Sequence, residues 1–172
     1  GQQAFKVFEP VGAGNLQVRL VQTLRGQIGL DQAVHLALSA DGAHLYVAGA
    51  NDDAIAVYAR DPVTGSLSLV ESEQNGVNDP LDSGATVAGL IDVEYLILSP
   101  DGEHLYALSA STGSIALFDR DPGSGALSWR RDYDGLDLGL DLTGIAAGVF
   151  DGQGRHLYLA QGPQDRMLVL AR

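Results

Sequence analysis

The sequence predicts an all-β fold built from repeated four-stranded antiparallel units, on three observations. The segment HLYVAGANDDAIAVYARDP (44–62) returns as HLYALSASTGSIALFDRDP (104–122) and as HLYLAQGPQDRMLVLAR (156–172). The three HLY motifs begin at residues 44, 104 and 156, and so long a period is typical of a repeated supersecondary unit. Each copy also divides into short apolar segments separated by turns that contain Gly or Pro, the pattern expected of β-strands.

The N-terminal segment is predicted to form the last two strands of a unit. Residues 4–25, AFKVFEPVGAGNLQVRLVQTLR, align with the third and fourth segments of the following copy. The alignment matches Val7 and Phe8 with Val57 and Tyr58, and Gly14 and Leu16 with Gly65 and Leu67.

The two central copies each predict four strands. The first strand is an apolar run, VHLALS (34–39) or EYLILS (94–99), suited to burial on both faces. A turn with Gly42 or Gly102 leads to the second strand, HLYVAG or HLYALS, and then to the third, AIAVYA or SIALFD. The turns RDPVTGSL and RDPGSGAL lead to a more polar fourth strand, SLSLVES or ALSWRRD.

The third copy predicts only three strands. AAGVFD (146–151), HLYLAQ and MLVLA follow the same order, and Arg172 aligns with Arg60 and Arg120. The sequence therefore predicts one propeller segment over residues 1–172, divided into the end of one blade (1–26), a blade (27–75), a second blade (76–135) and three strands of a last blade (136–172).

The fall in apolarity from the first strand to the fourth favours a β-propeller. Such a gradient suits sheets whose first strand lies near an axis and whose fourth strand faces solvent. We therefore expect Leu36, Leu38, Leu96, Leu98 and Val149 in the core and the fourth strands to be the most exposed. About three blades would form a partial ring, or a ring closed by oligomerisation; a β-sandwich and an open β-solenoid are the alternatives.

The motifs LSPDGEHLYAL and IALFDRDPGSGALS, with their near copies LSADGAHLYVAG and IAVYARDPVTGSLS, resemble the YVTN-type and lactonase-like β-propeller repeats of bacterial proteins. The resemblance covers essentially the whole chain and implies rings of about seven blades. It is specific for fold but not for function, because the same blade occurs in lactone hydrolases and in binding modules.

Composition excludes several classes of partner and site. Ten Lys and Arg against 22 Asp and Glu give a net charge of −12, which would repel nucleic acid and anionic membranes and attract a cation or a basic partner. The absence of cysteine excludes disulfides, thiolate metal sites and a cysteine nucleophile. No apolar run approaches the length of a membrane span.

The acidic residues concentrate in the loops that join the fourth strand to the first and the second strand to the third. The longest of these loops, EQNGVNDPLDSGATVAGLID (73–92), is the most site-like. Carboxylates in such a loop could bind calcium or another divalent cation through oxygen ligands, or serve only solubility. The metal-binding candidates are Asp79, Asp82, Asp92 and Glu94, and the sequence predicts no catalytic residue.

The resemblance to lactone-hydrolysing propellers implies a metal at the ring axis, held at the entrances of the inner strands. The matching positions are Gln32, Asp92 and Gly144, then Val34, Glu94 and Ala146, then His35, Tyr95 and Ala147. Only one copy offers carboxylates there, which departs from a ligand on every blade. The histidines at 44, 104 and 156 share one position in the repeat, and we interpret them as polar turn exits rather than metal ligands.

The leading functional hypothesis is a non-catalytic binding or scaffold module of a bacterial exported or surface protein, in the periplasm, outside the cell or on its surface. Its acidic face would bind a cation, a glycan or a protein, and its missing blades would come from a longer chain or a homo-oligomer. The alternative is part of a lactonase-like hydrolase with a central divalent metal.

Overall fold

A computed structural model describes residues 4–11, 17–79 and 84–172, and it confirms the all-β prediction. Its described residues form 13 strands and one short helix. No helix in this part of the chain is long and apolar enough to span a membrane. The elements are β1 (Ala4–Val11), β2 (Gln17–Arg25), β3 (Ala33–Leu38), β4 (His44–Gly49), β5 (Ala54–Arg60), β6 (Leu67–Gln74), β7 (Tyr95–Leu98), β8 (His104–Ser109), β9 (Ser114–Arg120), β10 (Leu127–Tyr133), α1 (Gly135–Leu138), β11 (Ile145–Phe150), β12 (His156–Gln161) and β13 (Arg166–Ala171).

The strands form four antiparallel sheets, which we number as blades. Blade 1 contains β1 and β2, blade 2 contains β3 to β6, blade 3 contains β7 to β10, and blade 4 contains β11 to β13. Within every sheet the strands neighbour one another in chain order. The predicted match of Gly14 and Leu16 to the next copy lies outside the described residues.

The blades converge on their first strands. Between different sheets, the most extensive backbone contacts join β7 to β3, to β11 and to β4. Sheets that meet at one strand and spread apart beyond it are arranged as the blades of a propeller. The chain therefore forms part of a ring, with β3, β7 and β11 on the axial side.

The predicted burial order is wrong for most of the first strands. Leu96 is only 3% exposed, but Leu36, Leu38 and Val149 are 47%, 52% and 62% exposed, and Leu98 is half-buried. The second and third strands of blades 2 and 3 are buried most completely, because a neighbouring blade covers each of their faces. Side chains on the axial side need the opposite part of a ring to cover them, and no described element lies there.

In blades 2 and 3, an arginine of the following blade binds the HLY motif. Arg120, at the end of β9, places Nη2 3.0 Å from Nδ1 of His44 and donates from Nε to the hydroxyl of Tyr46. Its Nη1 donates to the Gly102 carbonyl in its own blade at 2.7 Å. Burial first, and the Arg120 charge second, lower the pKa of His44, so His44 accepts on Nδ1 as a neutral ring.

The same arrangement recurs between blades 3 and 4. Arg172, which follows β13, lies 2.6 Å from Nδ1 of His104 and donates to Asp101 Oδ2 at 2.6 Å. We call this arrangement the arginine clasp: an arginine that ends a third strand, held by the HLY motif of the preceding blade. The repetition of His44 and His104 in the sequence is explained by arginine binding, which the turn interpretation did not anticipate.

Candidate functional site

The entrances to the inner strands hold two side chains in a rare backbone conformation. Gln32 and Asp92 occupy equivalent positions before β3 and β7, with φ of 50° and 55°, and Gly144 has the same role before β11 with φ of 70°. Positive φ is unfavourable for residues with a Cβ, so non-glycine residues that keep it mark positions with a local constraint. We call Gln32, His35, Asp92, Glu94 and Tyr95 the axial entrance.

The backbone of Asp92 is fixed by the adjacent blade. Its N–H donates to Oδ1 of Asp53, in the loop between β4 and β5, at 2.7 Å. Asp53 itself has φ of 50°, as Gly113 and Asp165 do at the equivalent positions of blades 3 and 4, with φ of 66° and 48°. One loop thus sets the conformation at the entrance to the next inner strand, and the Asp92 carboxylate is not used in that bond.

His35 and Tyr95 form the apolar side of the axial entrance. Nδ1 of His35 accepts the N–H of Leu96 at 3.2 Å, and the rings of His35 and Tyr95 meet edge to face with centroids 5.5 Å apart. Burial lowers the pKa of His35, so the ring is neutral near pH 7. Because Nδ1 accepts, the proton lies on Nε2, which is a donor.

Several carboxylates on the acidic loops are used to hold the loops themselves. Asp52 Oδ2 accepts the N–H groups of Gly29 and Asp31 at 2.7 and 3.0 Å. Asp134 caps α1 by accepting two backbone N–H groups, and Asp141 accepts the N–H of Thr143 at 2.9 Å. Backbone N–H groups at turns prefer such charged acceptors, so part of the predicted acidic face is structural.

The three predicted metal ligands that the structure describes lie in two different settings. Asp92 and Glu94 are half-buried at the axial entrance, whereas Asp79 is buried and its Oδ2 accepts the N–H of Trp129, on the outer strand β10. Asp82 lies outside the described residues. Within the described part of the chain, no group of three His, Asp or Glu side chains with ligand atoms within 4.8 Å of one another includes Asp79, Asp92 or Glu94. A metal held by these residues therefore stays a prediction, and any complete site requires further ligands.

The described residues do contain one group of acids and histidine at metal-binding separations, Asp101, Glu103 and His104. Arg172 already binds two of its members, Asp101 and His104, in the arginine clasp. A guanidinium beside these two ligands disfavours a second cation, so we assign the group to the blade interface.

Two glutamates on β6, the half-buried Glu71 and the buried Glu73, were not predicted from the sequence. Glu71 and Glu73 lie on one face of β6, opposite Val57 and Ile55, and this face packs against blade 3. Glu71 accepts the N–H of Leu127 at 2.5 Å, whereas Oε1 of Glu73 has no hydrogen-bond partner in the described structure. The sequence does contain a signal for this pair. Glu71 and Glu73 are two residues apart and therefore lie on the same face of β6.

Comparisons with known proteins support the propeller fold. No protein-family model and no curated protein matches the sequence. Among solved structures, a candidate 6-phosphogluconolactonase from Bacteroides fragilis is 19% identical with a TM-score of 0.73, over 99% of this chain and 45% of that one. A corresponding protein from Bacteroides uniformis is 20% identical with a TM-score of 0.75, over 99% and 44%. The periplasmic gluconolactonase PpgL of Pseudomonas aeruginosa is 25% identical with a TM-score of 0.62, over 80% and 35%.

These structures correct the functional hypothesis drawn from the sequence. The chain spans less than half the length of each of the three, and all three are described as lactonases or candidate lactonases. The hypothesis of a non-catalytic binding or scaffold module is therefore wrong, and the hydrolase alternative is better supported. The likeness to a lactonase-like propeller agrees with the resemblance of the repeats.

Proposed function

We propose that this chain is part of a lactonase-like hydrolase that opens a neutral sugar lactone at the axial entrance. The observation that carries the proposal is the constrained backbone at Gln32 and Asp92, two equivalent axial positions where side chains are kept despite positive φ. Strained residues cluster where side-chain placement matters for function. The three solved structures of similar fold are lactonases or candidate lactonases, and this likeness supports lactone hydrolysis as the reaction.

A divalent cation fits the axial entrance in part. Asp92 offers carboxylate oxygens and Gln32 offers an amide oxygen, the donor types that calcium prefers, and the Glu94 carboxylate beside them is left for proton transfer. Gly144 and Ala146 offer no side-chain donor on blade 4. These residues would supply one sector of a coordination sphere, with the remaining ligands on blades outside this chain. When bound, a divalent cation polarises a lactone carbonyl and increases the acidity of bound water.

The other residues of the axial entrance would orient the lactone and move its protons. The N–H at Nε2 of neutral His35 can donate a hydrogen bond to a lactone oxygen. A carboxylate of the entrance that binds no cation, Glu94 in this proposal, accepts the proton of the attacking water as the carbon–oxygen bond forms. The tetrahedral intermediate then collapses by breaking the ring carbon–oxygen bond, and the alkoxide leaving group takes the proton back from Glu94 to give the hydroxy acid.

Charge favours an uncharged substrate. The net charge of −12 repels a phosphorylated lactone over a long range. The axial entrance contributes two carboxylates and no Lys or Arg among its five residues. We therefore infer a neutral aldonolactone as the substrate. A periplasmic or extracellular location is part of the proposal, supported by the likeness to a periplasmic gluconolactonase.

The proposal is tested by the hydrolysis of glucono-δ-lactone in the presence of added calcium, magnesium or manganese. We expect the ring that contains this chain and the remaining blades to exceed the spontaneous rate, and Asp92→Asn or Glu94→Gln to reduce the excess by about 10²-fold, the usual contribution of a positioned acid–base or ligating group. Asp31→Asn is the matched control, because Asp31 is an exposed acid beside the same entrance. A pH indicator reports the acid produced.

Cation binding is measured separately by thermal unfolding. A cation that binds only the folded state stabilises it by about 2.7 kcal/mol at a hundredfold excess over Kd. We expect the increase in Tm to disappear in Asp92→Asn with Glu94→Gln and to persist in Asp79→Asn with Asp82→Asn. A rate at the spontaneous level for the complete ring with all three cations, or wild-type rates in both entrance variants, would contradict the proposed function.

A further inference from the structure

The long loop between β6 and β7 is closed at its base by the loop of blade 2 that joins β4 to β5. The N–H of Asn75, where the long loop begins, donates to the Asp53 carbonyl at 2.9 Å. At the other end of the long loop, the N–H of Asp92 donates to Oδ1 of Asp53 at 2.7 Å. Oδ1 of Asn75 also accepts the N–H of Leu90 at 3.2 Å, across the base. Asp53 therefore contacts both ends of the loop that leads into the axial entrance.

The hydrogen bond between Asp53 and Asp92 joins two residues with a left-handed backbone, with φ of 50° and 55°. Aspartate reaches this region more readily than most residues with a Cβ, but still at a cost in free energy. A carboxylate is a strong acceptor for a backbone N–H, so the bond can hold Asp92 in this conformation. Because the backbone at Asp92 sets the direction of its Cα–Cβ bond, the Asp53 carboxylate also sets the direction in which the Asp92 side chain leaves the chain.

The junction between blades 3 and 4 is made without a carboxylate. Gly113 takes the place of Asp53 there. The N–H of Gly144 donates to the Ala110 carbonyl at 2.9 Å. The backbones approach closely, since a Cβ on Gly113 would lie 2.9 Å from the backbone nitrogen of Thr143. The carboxylate acceptor is thus present where the entrance residue carries a carboxylate of its own, and it is replaced by a carbonyl where the entrance residue is glycine.

We propose that Asp53 is a positioning residue for the reaction at the axial entrance, an inference that rests on the proposed function. Its Oδ1 binds the Asp92 N–H and keeps Asp92 in the conformation from which the Asp92 carboxylate serves the entrance. Asp53 itself touches neither the lactone nor a cation, and it acts through Asp92. Loss of the acceptor should release φ at Asp92 toward the negative values that residues with a Cβ prefer.

Two substitutions at Asp53 separate the hydrogen bond from the backbone conformation of the turn. Asp53→Gly keeps the left-handed turn, as Gly113 does in blade 3, but removes the acceptor. Asp53→Asn keeps an acceptor oxygen and also tolerates positive φ, but removes the charge. Asp53→Asn should therefore rescue most of what Asp53→Gly loses.

Amide hydrogen exchange of this chain, followed by NMR, measures the hydrogen bond without any substrate. We expect the Asp92 N–H to exchange about tenfold faster, or more, in Asp53→Gly, as the loss of a bond to a charged acceptor should give. Asp53→Asn should restore most of the protection. The N–H of Gly144 is the internal control, because its acceptor is the Ala110 carbonyl. Unchanged exchange at Asp92 in Asp53→Gly would overturn the inference.

Hydrolysis of glucono-δ-lactone by the ring that contains this chain and the remaining blades tests the role in the reaction. Asp53→Gly should lower kcat by about 10- to 100-fold, the usual cost of losing a residue that orients a ligating group, and Asp53→Asn should recover most of it. In the Asp92→Asn background, Asp53→Gly should cost nothing further, since the two residues act as one unit. Additive costs would mean that Asp53 only stabilises the fold, and they would overturn the inference.

Failure of the inference and failure of the proposed function give different results. An active wild-type ring with full activity in Asp53→Gly would overturn the role of Asp53 and leave the proposed function intact. An inactive wild-type ring would contradict the proposed function, and faster Asp92 exchange in Asp53→Gly would then still support Asp53 as the residue that positions Asp92.

Discussion

Glu73 is a carboxyl group buried beside two other carboxyl groups. It is 1% exposed, and the charged groups that act on it, Asp79 and Glu71, are both acidic. Burial first, and then these neighbours, raise the pKa of Glu73 from 4.5 to about 8. A protonated Glu73 avoids an uncompensated buried charge, so the folded chain holds this proton at neutral pH.

This proton makes the stability depend on pH. Between pH 4.5 and about 8 the unfolded chain releases the Glu73 proton while the folded chain retains it, so stability falls as pH rises through this window and levels off above it. Glu73→Gln is always neutral and should flatten the fall, by on the order of a few kcal/mol across the window. Thermal unfolding at several pH values measures this. Glu103→Gln, at an exposed carboxylate, is the control, and parallel pH profiles for wild type and Glu73→Gln would contradict the assignment.

At the scale of elements, the repeats predicted the strands and turns because each depends on local residues. Gly42, Gly102 and Gly154 do adopt positive φ, and the chain order of strands within each blade follows from short hairpins. The arginine clasp could not be predicted, because Arg120 and His44 are 76 residues apart and on different blades. Asp92 and Glu94 were identified from the family pattern. The hydrogen bond from the Asp92 N–H to Asp53 could not be predicted, because it joins two blades.

The burial of the inner strands differs most from the sequence prediction, and this difference can be tested. Leu96 is buried between blades, so Leu96→Ala should lower the free energy of unfolding by about 2 to 5 kcal/mol. Leu36→Ala removes the same atoms from an axial position that is half exposed, and it should cost less than about 1 kcal/mol. Chemical denaturation of both variants measures the difference. A cost for Leu36→Ala as large as that for Leu96→Ala would show that the axial side is covered in solution.

At the scale of the whole molecule, the charge of −12 opposes compaction. Many of the acidic side chains are exposed, so salt screens the repulsion between them. Part of the acidic surface is tied to backbone N–H groups, as at Asp52 and Asp141, and these bonds do not remove the net charge.

We therefore expect the Tm to increase when the NaCl concentration rises from about 10 mM to about 200 mM. The increase should be smaller in a variant that carries Asn at the exposed positions Asp31 and Asp165, since its net charge is less negative. Differential scanning calorimetry at constant pH measures both. A fall in Tm with salt would mean that surface ion pairs, such as the one between Arg130 and Asp119, outweigh the repulsion.

The arginine clasp also affects how new blades can arise by gene duplication. Each four-stranded unit carries an HLY motif on its second strand and an arginine on its third, so a duplicated unit brings both halves of a clasp in the correct order. The spacing between successive motifs changes from 60 to 52 residues through the loops that lead into β7 and β11, and the clasp residues keep their alignment. Gene duplications that begin anywhere in those loops would yield a unit that fits its neighbours at once. The loops themselves, one of which carries Asp92 and Glu94, remain free to diverge.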